Sequence, residues 1–147
     1  MDNVVVRDLK ESDIDDLVEI EKLSFSVPWT KSAFIKELSN KLAKYVVIEH
    51  NKKVIAYGGI WLIVDEGHIT NIAVHPDYLG KGLGNIIVES LIEKCRENKV
   101  LSMTLEVRKS NLVAQNLYKK YGFKPVGIRP EYYSDNKEDA VIMWKDL

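Results

Sequence analysis

Gly80, Gly82 and Gly84, three glycines at alternate positions with Lys81 between the first two, are the residues best placed to do chemistry. They follow a strand-like run that breaks at Pro76 and lead into an apolar helical segment. A glycine-rich turn that opens a helix presents backbone N–H groups at the positive end of the helix dipole, an arrangement that holds phosphate. Lys81 adds its charge to that field. The spacing lacks the Gly-x-x-x-x-Gly-Lys-Ser/Thr run of a nucleoside triphosphate loop. It is not Gly-x-Gly-x-x-Gly either, and the strand before it is not the chain's first, which argues against a dinucleotide site. Spacing alone leaves two readings open: a phosphate cradle, or a tight turn into a helix.

Other reactive side chains are sparse. Cys95, the one cysteine, falls on an apolar stripe with Val88, Leu91 and Ile92, which makes it a core thiol rather than a nucleophile. His50, His68 and His75 are scattered, and no His-Glu-x-x-His run or cysteine pair exists, so no metal site is expected. His68 and His75 flank the strand containing Ile72, Ala73 and Val74; each reads as an additional base or as an ordinary surface histidine. Glu106 lies on the polar side of an alternating strand, the position of a solvated carboxylate. Tyr118 shares a helix face with Leu117 and Tyr121, the position of a core aromatic.

The elements that must position these groups follow from periodicity. Val4 to Val6 forms a short strand, and Ser12 or Asp13 caps a helix carrying Ile14, Leu17 and Val18. The run from Phe25 to Trp29 interrupts it at Pro28, and Thr30 caps a second helix with Phe34, Ile35 and Leu38. Phe25 and Trp29 in that loop read either as a wall of a substrate site or as core. Three strands follow, Tyr45 to Glu49, Val54 to Ile63 and His68 to Val74; Gly58-Gly59 marks a bulge or a close backbone approach. After the glycine loop come a helix to about Asn98, a strand alternating Leu101, Met103, Leu105 and Val107, and a helix capped by Ser110-Asn111 and ended by Gly122. Phe123 to Gly127 and Ala140 to Trp144 are the last strands. The order, strand–helix–helix–three strands–helix–strand–helix–two strands, is that of a mixed α/β (α+β) sheet covered by about four helices.

Composition narrows the classes. A chain of 147 residues, 46% hydrophobic and 29% charged, suits one globular domain over 1–147. A net charge of −1 gives no general attraction for nucleic acid or an anionic membrane, so affinity for phosphate must be local. A single cysteine fits a reducing compartment. The first residues lack the layout of a signal peptide, and no apolar run approaches ~18 residues. A cytoplasmic location is expected.

Asn71-Ile-Ala-Val-His-Pro, the glycine turn and the helix after it resemble the acetyl-CoA core of the GNAT N-acetyltransferase superfamily. Leu105-Glu-Val-Arg-Lys-Ser-Asn, Ala114 to Phe123, Tyr132-Tyr133 before Glu138-Asp-Ala, and Pro28-Trp29 extend the resemblance over nearly the whole chain and narrow it to the RimI group, the ribosomal-protein-alanine N-acetyltransferases. The resemblance implies a mostly antiparallel sheet splayed between its fourth and fifth strands. It implies acetyl-CoA as co-substrate with no metal, held by Ile72, Ala73 and Val74, by the loop Gly80, Lys81, Gly82, Leu83, Gly84 and Asn85, and by Asn111. It implies Glu106 as proton acceptor, Tyr118 as proton donor to the leaving thiolate, and Trp29, Tyr132 and Tyr133 as the peptide-gripping surface. The substrate implied is the N-terminal alanine of a ribosomal protein, the eighteenth of the small subunit, with no direct nucleic-acid binding and a monomer or weak homodimer. Two other readings stay open: the same fold acting on a lysine side chain or small amine, and a non-catalytic acyl-CoA-binding module. One residue departs from the pattern, since Leu79 stands where the family has Gln or Arg. A loop that works through backbone N–H groups tolerates that loss with reduced affinity.

Overall fold

The period-two stretches pair into one sheet in the computed structural model, which describes residues 3–147. Its strands are β1 (Val4–Asp8), β2 (Ala43–His50), β3 (Lys53–Ile63), β4 (Glu66–Val74), β5 (Ser102–Arg108), β6 (Lys124–Arg129) and β7 (Ala140–Asp146). The helices are α1 (Ile14–Ser24), α2 (Lys31–Leu38), α3 (Leu83–Glu97) and α4 (Leu112–Lys120). Strand order is β1-β2-β3-β4-β5-β7-β6, antiparallel at every step except the parallel pair β4–β5.

β2 reads as an unbroken apolar run because both its faces are covered. Val46 and Ile48 join a core cluster with Ile87, Val88 and Leu91 of α3, whereas Tyr45 and Val47 join Ile14, Leu17 and Ile20 of α1 and Phe34 of α2. Thr30 caps α2 as expected, its hydroxyl accepting from Ala33 N–H at 3.2 Å. Asp13 stands at the start of α1 but does not cap it. Its carboxylate accepts instead from Lys10 N–H at 2.8 Å and from both Arg7 guanidinium nitrogens, which ties β1 to the first helix. Leu101 lies outside β5 and is exposed, so the alternation there begins one residue later than its pattern implies. Among the described residues, no helix is long and apolar enough to cross a membrane.

β4 and β5 pair only at Glu66↔Ser102, Gly67↔Met103 and His68↔Thr104. The cause of their separation lies on the other side of β4. There Gly59↔Asn71 is followed by Ile60↔Ile69, so Thr70 is an extra residue, and a bulge bends its strand. Two glycines permit it. A Cβ on Gly58 would overlap Ile87 of α3, and one on Gly59 would overlap the Tyr45 ring and meet Thr70 Oγ1 at 2.9 Å. The close approach expected at Gly58-Gly59 and the register shift thus occur together. A buried polar net holds the bulge: Tyr45 OH donates to Glu37 at 2.8 Å and lies 3.4 Å from Thr70 Oγ1, Asn71 Nδ2 donates to Tyr57 OH at 3.0 Å, and Tyr57 OH donates to Glu21.

Gly59→Ala forces the Tyr45 ring off its site, and overpacking of this kind costs about 1–3 kcal/mol. Urea denaturation should show that loss; an unchanged midpoint would mean that the ring relaxes freely.

Candidate active site

Beyond His68 no strand among the described residues lies beside the outer edge of β4, and a cavity of about 470 Å³ fills the wedge between β4 and β5. Ile69 to Ile72 line one side of it and Leu105 to Arg108 the other. α4 contributes Ala114 and Tyr118, with Asn111 at its start; the α1–α2 loop contributes Phe25, Val27 and Trp29; the β6–β7 loop contributes Tyr132 to Asp135. Glu106, Tyr118, Ile72, Asn111, Trp29, Tyr132 and Tyr133, scattered through the chain, therefore face one cleft.

Glu106 is not a solvated carboxylate. Its side chain is 10% exposed, and its two oxygens are occupied by His68 Nε2 at 2.8 Å and Arg129 Nε at 3.1 Å. The His68 hydrogen bond, helped by Arg129 and opposed by burial, holds this carboxyl below its ordinary pKa. His68, for its part, is no ordinary surface histidine; the bond to Glu106 raises its pKa above 6.5. His75 is buried as well, its Nδ1 accepting from Asp77 N–H at 3.1 Å in the turn after β4. Tyr118 is buried, and its pKa is pushed up to about 12, chiefly by burial. Its hydroxyl makes no hydrogen bond among the described residues, and the side chain borders the cavity, so the phenol is a proton-bearing group with a free donor. Cys95 is fully buried, with burial pushing its thiol up to about 11, as suits a core residue.

The glycine turn sits at the start of α3, outside the cavity lining. Gly80 (φ +77°) and Gly82 (φ +78°) both take the left-handed backbone that favours glycine, with no atom near where a Cβ would stand. Gly82 is the N-cap of α3 and supplies no side-chain acceptor. The N–H groups of Leu83, Gly84 and Asn85 find no acceptor among the described residues, the normal state of an uncapped first turn. Of the loop residues assigned to the cofactor, Leu83 can act only through its backbone, since its side chain is buried in the core. The Asn85 side chain is engaged too, accepting from Lys120 Nζ at 2.8 Å and Tyr121 OH at 3.0 Å. Ala73 and Val74 are not in the cavity lining, and the Ala73 side chain packs toward α1. Asn111 caps α4, its Oδ1 accepting from Ala114 N–H at 3.1 Å, and also borders the cleft.

The aromatic rim is both wall and core. Trp29 packs on Phe34 at 5.4 Å and donates its backbone N–H to Glu21, while also facing the cavity. Arg108 stacks 4.0 Å above the Tyr133 ring and binds Asp135 and Glu138, pinning the β6–β7 loop. Ser26 Oγ donates to Asp135 at 2.5 Å, so the two rim loops touch. Sequence reasoning did not reach Glu21, buried and raised in pKa by desolvation at the cavity wall. A carboxylate three residues beyond Val18 and four beyond Leu17 on an apolar stripe was the available signal. Among the described residues no group of His, Cys, Asp or Glu could hold a metal.

A splayed parallel pair and a glycine turn opening a helix frame this cleft, and a carboxylate and a phenol stand in its lining. Residues 14–123 match the Acetyltransferase (GNAT) family, and the chain belongs to it. Acetyl-CoA is therefore its acetyl donor. A Bacillus subtilis (strain 168) protein provisionally named a ribosomal protein bS18-alanine N-acetyltransferase is 49% identical over 140 residues, covering 95% of this chain and 93% of that one. The Escherichia coli (strain K12) ribosomal protein bS18-alanine N-acetyltransferase is 34% identical over 140 residues, covering 94% of each. The crystal structure of the Escherichia coli ribosomal-protein-S18-alanine N-acetyltransferase superposes with a TM-score of 0.90 at 32% identity, over 98% of this chain and 94% of that one.

An alanine at Gly82 leaves the left-handed region when free, and restoring the turn around a ligand costs about 1–2 kcal/mol. Acetyl-CoA affinity measured by calorimetry should fall about fivefold to thirtyfold. Unaltered affinity would remove the turn from the binding site.

Proposed function

We propose that this chain transfers acetyl from acetyl-CoA to the α-amine of the N-terminal alanine of ribosomal protein bS18. The observation that carries the reading is the single cleft into which Glu106 and Tyr118 both face, in a chain whose relatives at 49% and 34% identity bear that activity in their names. Main-chain donors of the Gly80–Asn85 turn, with Lys81 nearby, hold the diphosphate. The pantetheine amides lie along the open edge of β4 as an added strand does. The peptide enters between Trp29 and the Tyr132-Tyr133 wall.

An α-ammonium has a pKa near ~7.8 and is about one-tenth neutral at pH 7; a lysine at ~10.4 is neutral in about one part in a few thousand. The α-amine thus demands far less of its base. Glu106 accepts the proton, directly or through a water, and the amine attacks the thioester carbonyl. Tyr118, with its proton held to about 12, faces the sulfur as the C–S bond breaks. A thiolate of ordinary basicity, near ~8.5, is a weaker base than this phenolate. Tyr118 accordingly stabilises the departing sulfur by hydrogen bonding, and completes proton transfer as the second proton leaving nitrogen replenishes it.

Peptides beginning with free alanine should be acetylated, and N-blocked peptides carrying lysine should not; the reverse pattern, read by mass spectrometry, would sink the α-amine assignment. Tyr118→Phe should lower kcat about a hundredfold with acetyl-CoA affinity unchanged. Loss of binding in step with turnover would mark Tyr118 as structural.

A further inference from the structure

Glu106 is an unusual choice for a base acting alone. The hydrogen bond from His68 and the Arg129 guanidinium hold its proton affinity below that of a free carboxylate. A base works best with a pKa near the operating pH. Something beside Glu106 must therefore match the α-ammonium, and β4 supplies it. His68 occupies the last paired position of the parallel ladder, opposite Thr104. Glu106 lies two residues beyond Thr104, hence on the same face of β5. The imidazole stands at the closed end of the wedge with one-third of its side chain (32%) exposed, against 10% for Glu106.

We propose that His68 and Glu106 act as a proton-accepting pair, in which Glu106 takes the proton leaving the amine and His68, 2.8 Å away, carries it to solvent. The inference rests on the acetyl-transfer reading above. In the working state the imidazole is neutral with its hydrogen on Nδ1. The ammonium N–H bond breaks and the proton joins Glu106 Oε2. It then crosses to His68 Nε2 as the Nδ1 proton leaves to water; exchange with solvent later removes the Nε2 proton and returns one to Nδ1, so the pair ends with the charge and the tautomer it began with. The net proton released by acetylating an ammonium leaves by this route, and the second proton from nitrogen replaces the one Tyr118 gives to sulfur. His68 is a positioning and relay residue, acting on the substrate through Glu106.

The sign of the pH dependence follows from the groups around the ring. Glu106 on β5 and Glu66 on β4, the strand of His68 itself, favour the imidazolium; Arg129 on β6 and burial oppose it; the balance raises the pKa above 6.5. Tyr132 and Tyr133 approach Glu106 from the β6–β7 loop and are neutral at pH 7, with their pKa values pushed up chiefly by burial. Below its pKa, His68 is an imidazolium that cannot accept another proton. Activity should fall with acid from that point.

The test is the pH profile of kcat between 5.5 and 9, with an alanine-first peptide and saturating acetyl-CoA, for the wild-type enzyme and His68→Gln. The glutamine amide keeps a polar partner beside Glu106 but can neither take up nor release a proton, so the variant removes the ionisation. Wild type should lose activity with unit slope below an apparent pKa above 6.5. The variant should lack that limb, with a plateau at least about tenfold lower and unchanged acetyl-CoA affinity. A variant profile that overlies the wild-type one overturns the relay. Proton NMR titration of His68 provides an arm independent of the peptide. Its pKa should fall in Glu106→Gln, and a value unmoved by that change overturns the pair whatever the peptide assay gives. If wild type binds acetyl-CoA yet acetylates no α-amine, the substrate reading fails, and the NMR arm still decides the coupling.

Discussion

Everything in the site depends on β4 losing its neighbour at one residue. Up to His68 the strand is paired on both sides; from Ile69 onward it is paired only with β3. Backbone groups left without a partner in a sheet interior are costly unless something else satisfies them. A fold that exposes such an edge keeps it for a ligand able to supply the missing amides. The opening is made by the extra residue Thr70, which bends the strand, and by Gly59, which lets the Tyr45 ring lie against the bend. The same bend leaves His68 at the vertex of the wedge and Glu106 facing into it.

Around this opening the polar groups are tied inward. Glu21, Tyr57 and Asn71 link α1 to β3 and β4, and Glu37, Tyr45 and Trp61 link α2 to β2 and β3. A buried carboxylate without donors would be expensive, whereas each of these has aromatic hydroxyl, indole or backbone donors. The network ties the aromatic wall of the cleft to the bent strand. The rim is held differently, by the exposed ion pairs and the stacking of Arg108, which are individually weak. The cleft thus has a floor held by buried hydrogen bonds and a rim held by weaker contacts near solvent.

Much of this was readable from residue order, for definite reasons. Thr30 and Asn111 cap because short polar side chains at those positions reach the N–H three residues on, and Gly122 (φ +93°) ends α4 because only glycine enters that region freely. Periodicity gave every strand and helix in its proper order. What stayed hidden is pairing across the chain. Nothing in the residues around Thr70 announces which partner register leaves it over. His68 and Glu106 are 38 residues apart, so their bond exists only once the parallel register is set. Asp13 looked like a cap because its type and place suit one, and Arg7 on the neighbouring strand outcompeted the helix for it.

The bond between Ser26 and Asp135 joins the α1–α2 loop to the β6–β7 loop. It turns the mouth of the cavity from an open trench into a hoop formed by two loops distant in sequence. A polypeptide terminus can be threaded through a hoop, while a residue in mid-chain can be admitted only when the hoop is undone. A single exposed hydroxyl–carboxylate contact is a weak clasp, easily sprung. Whether the clasp is shut therefore sets the shape of what the cleft can admit.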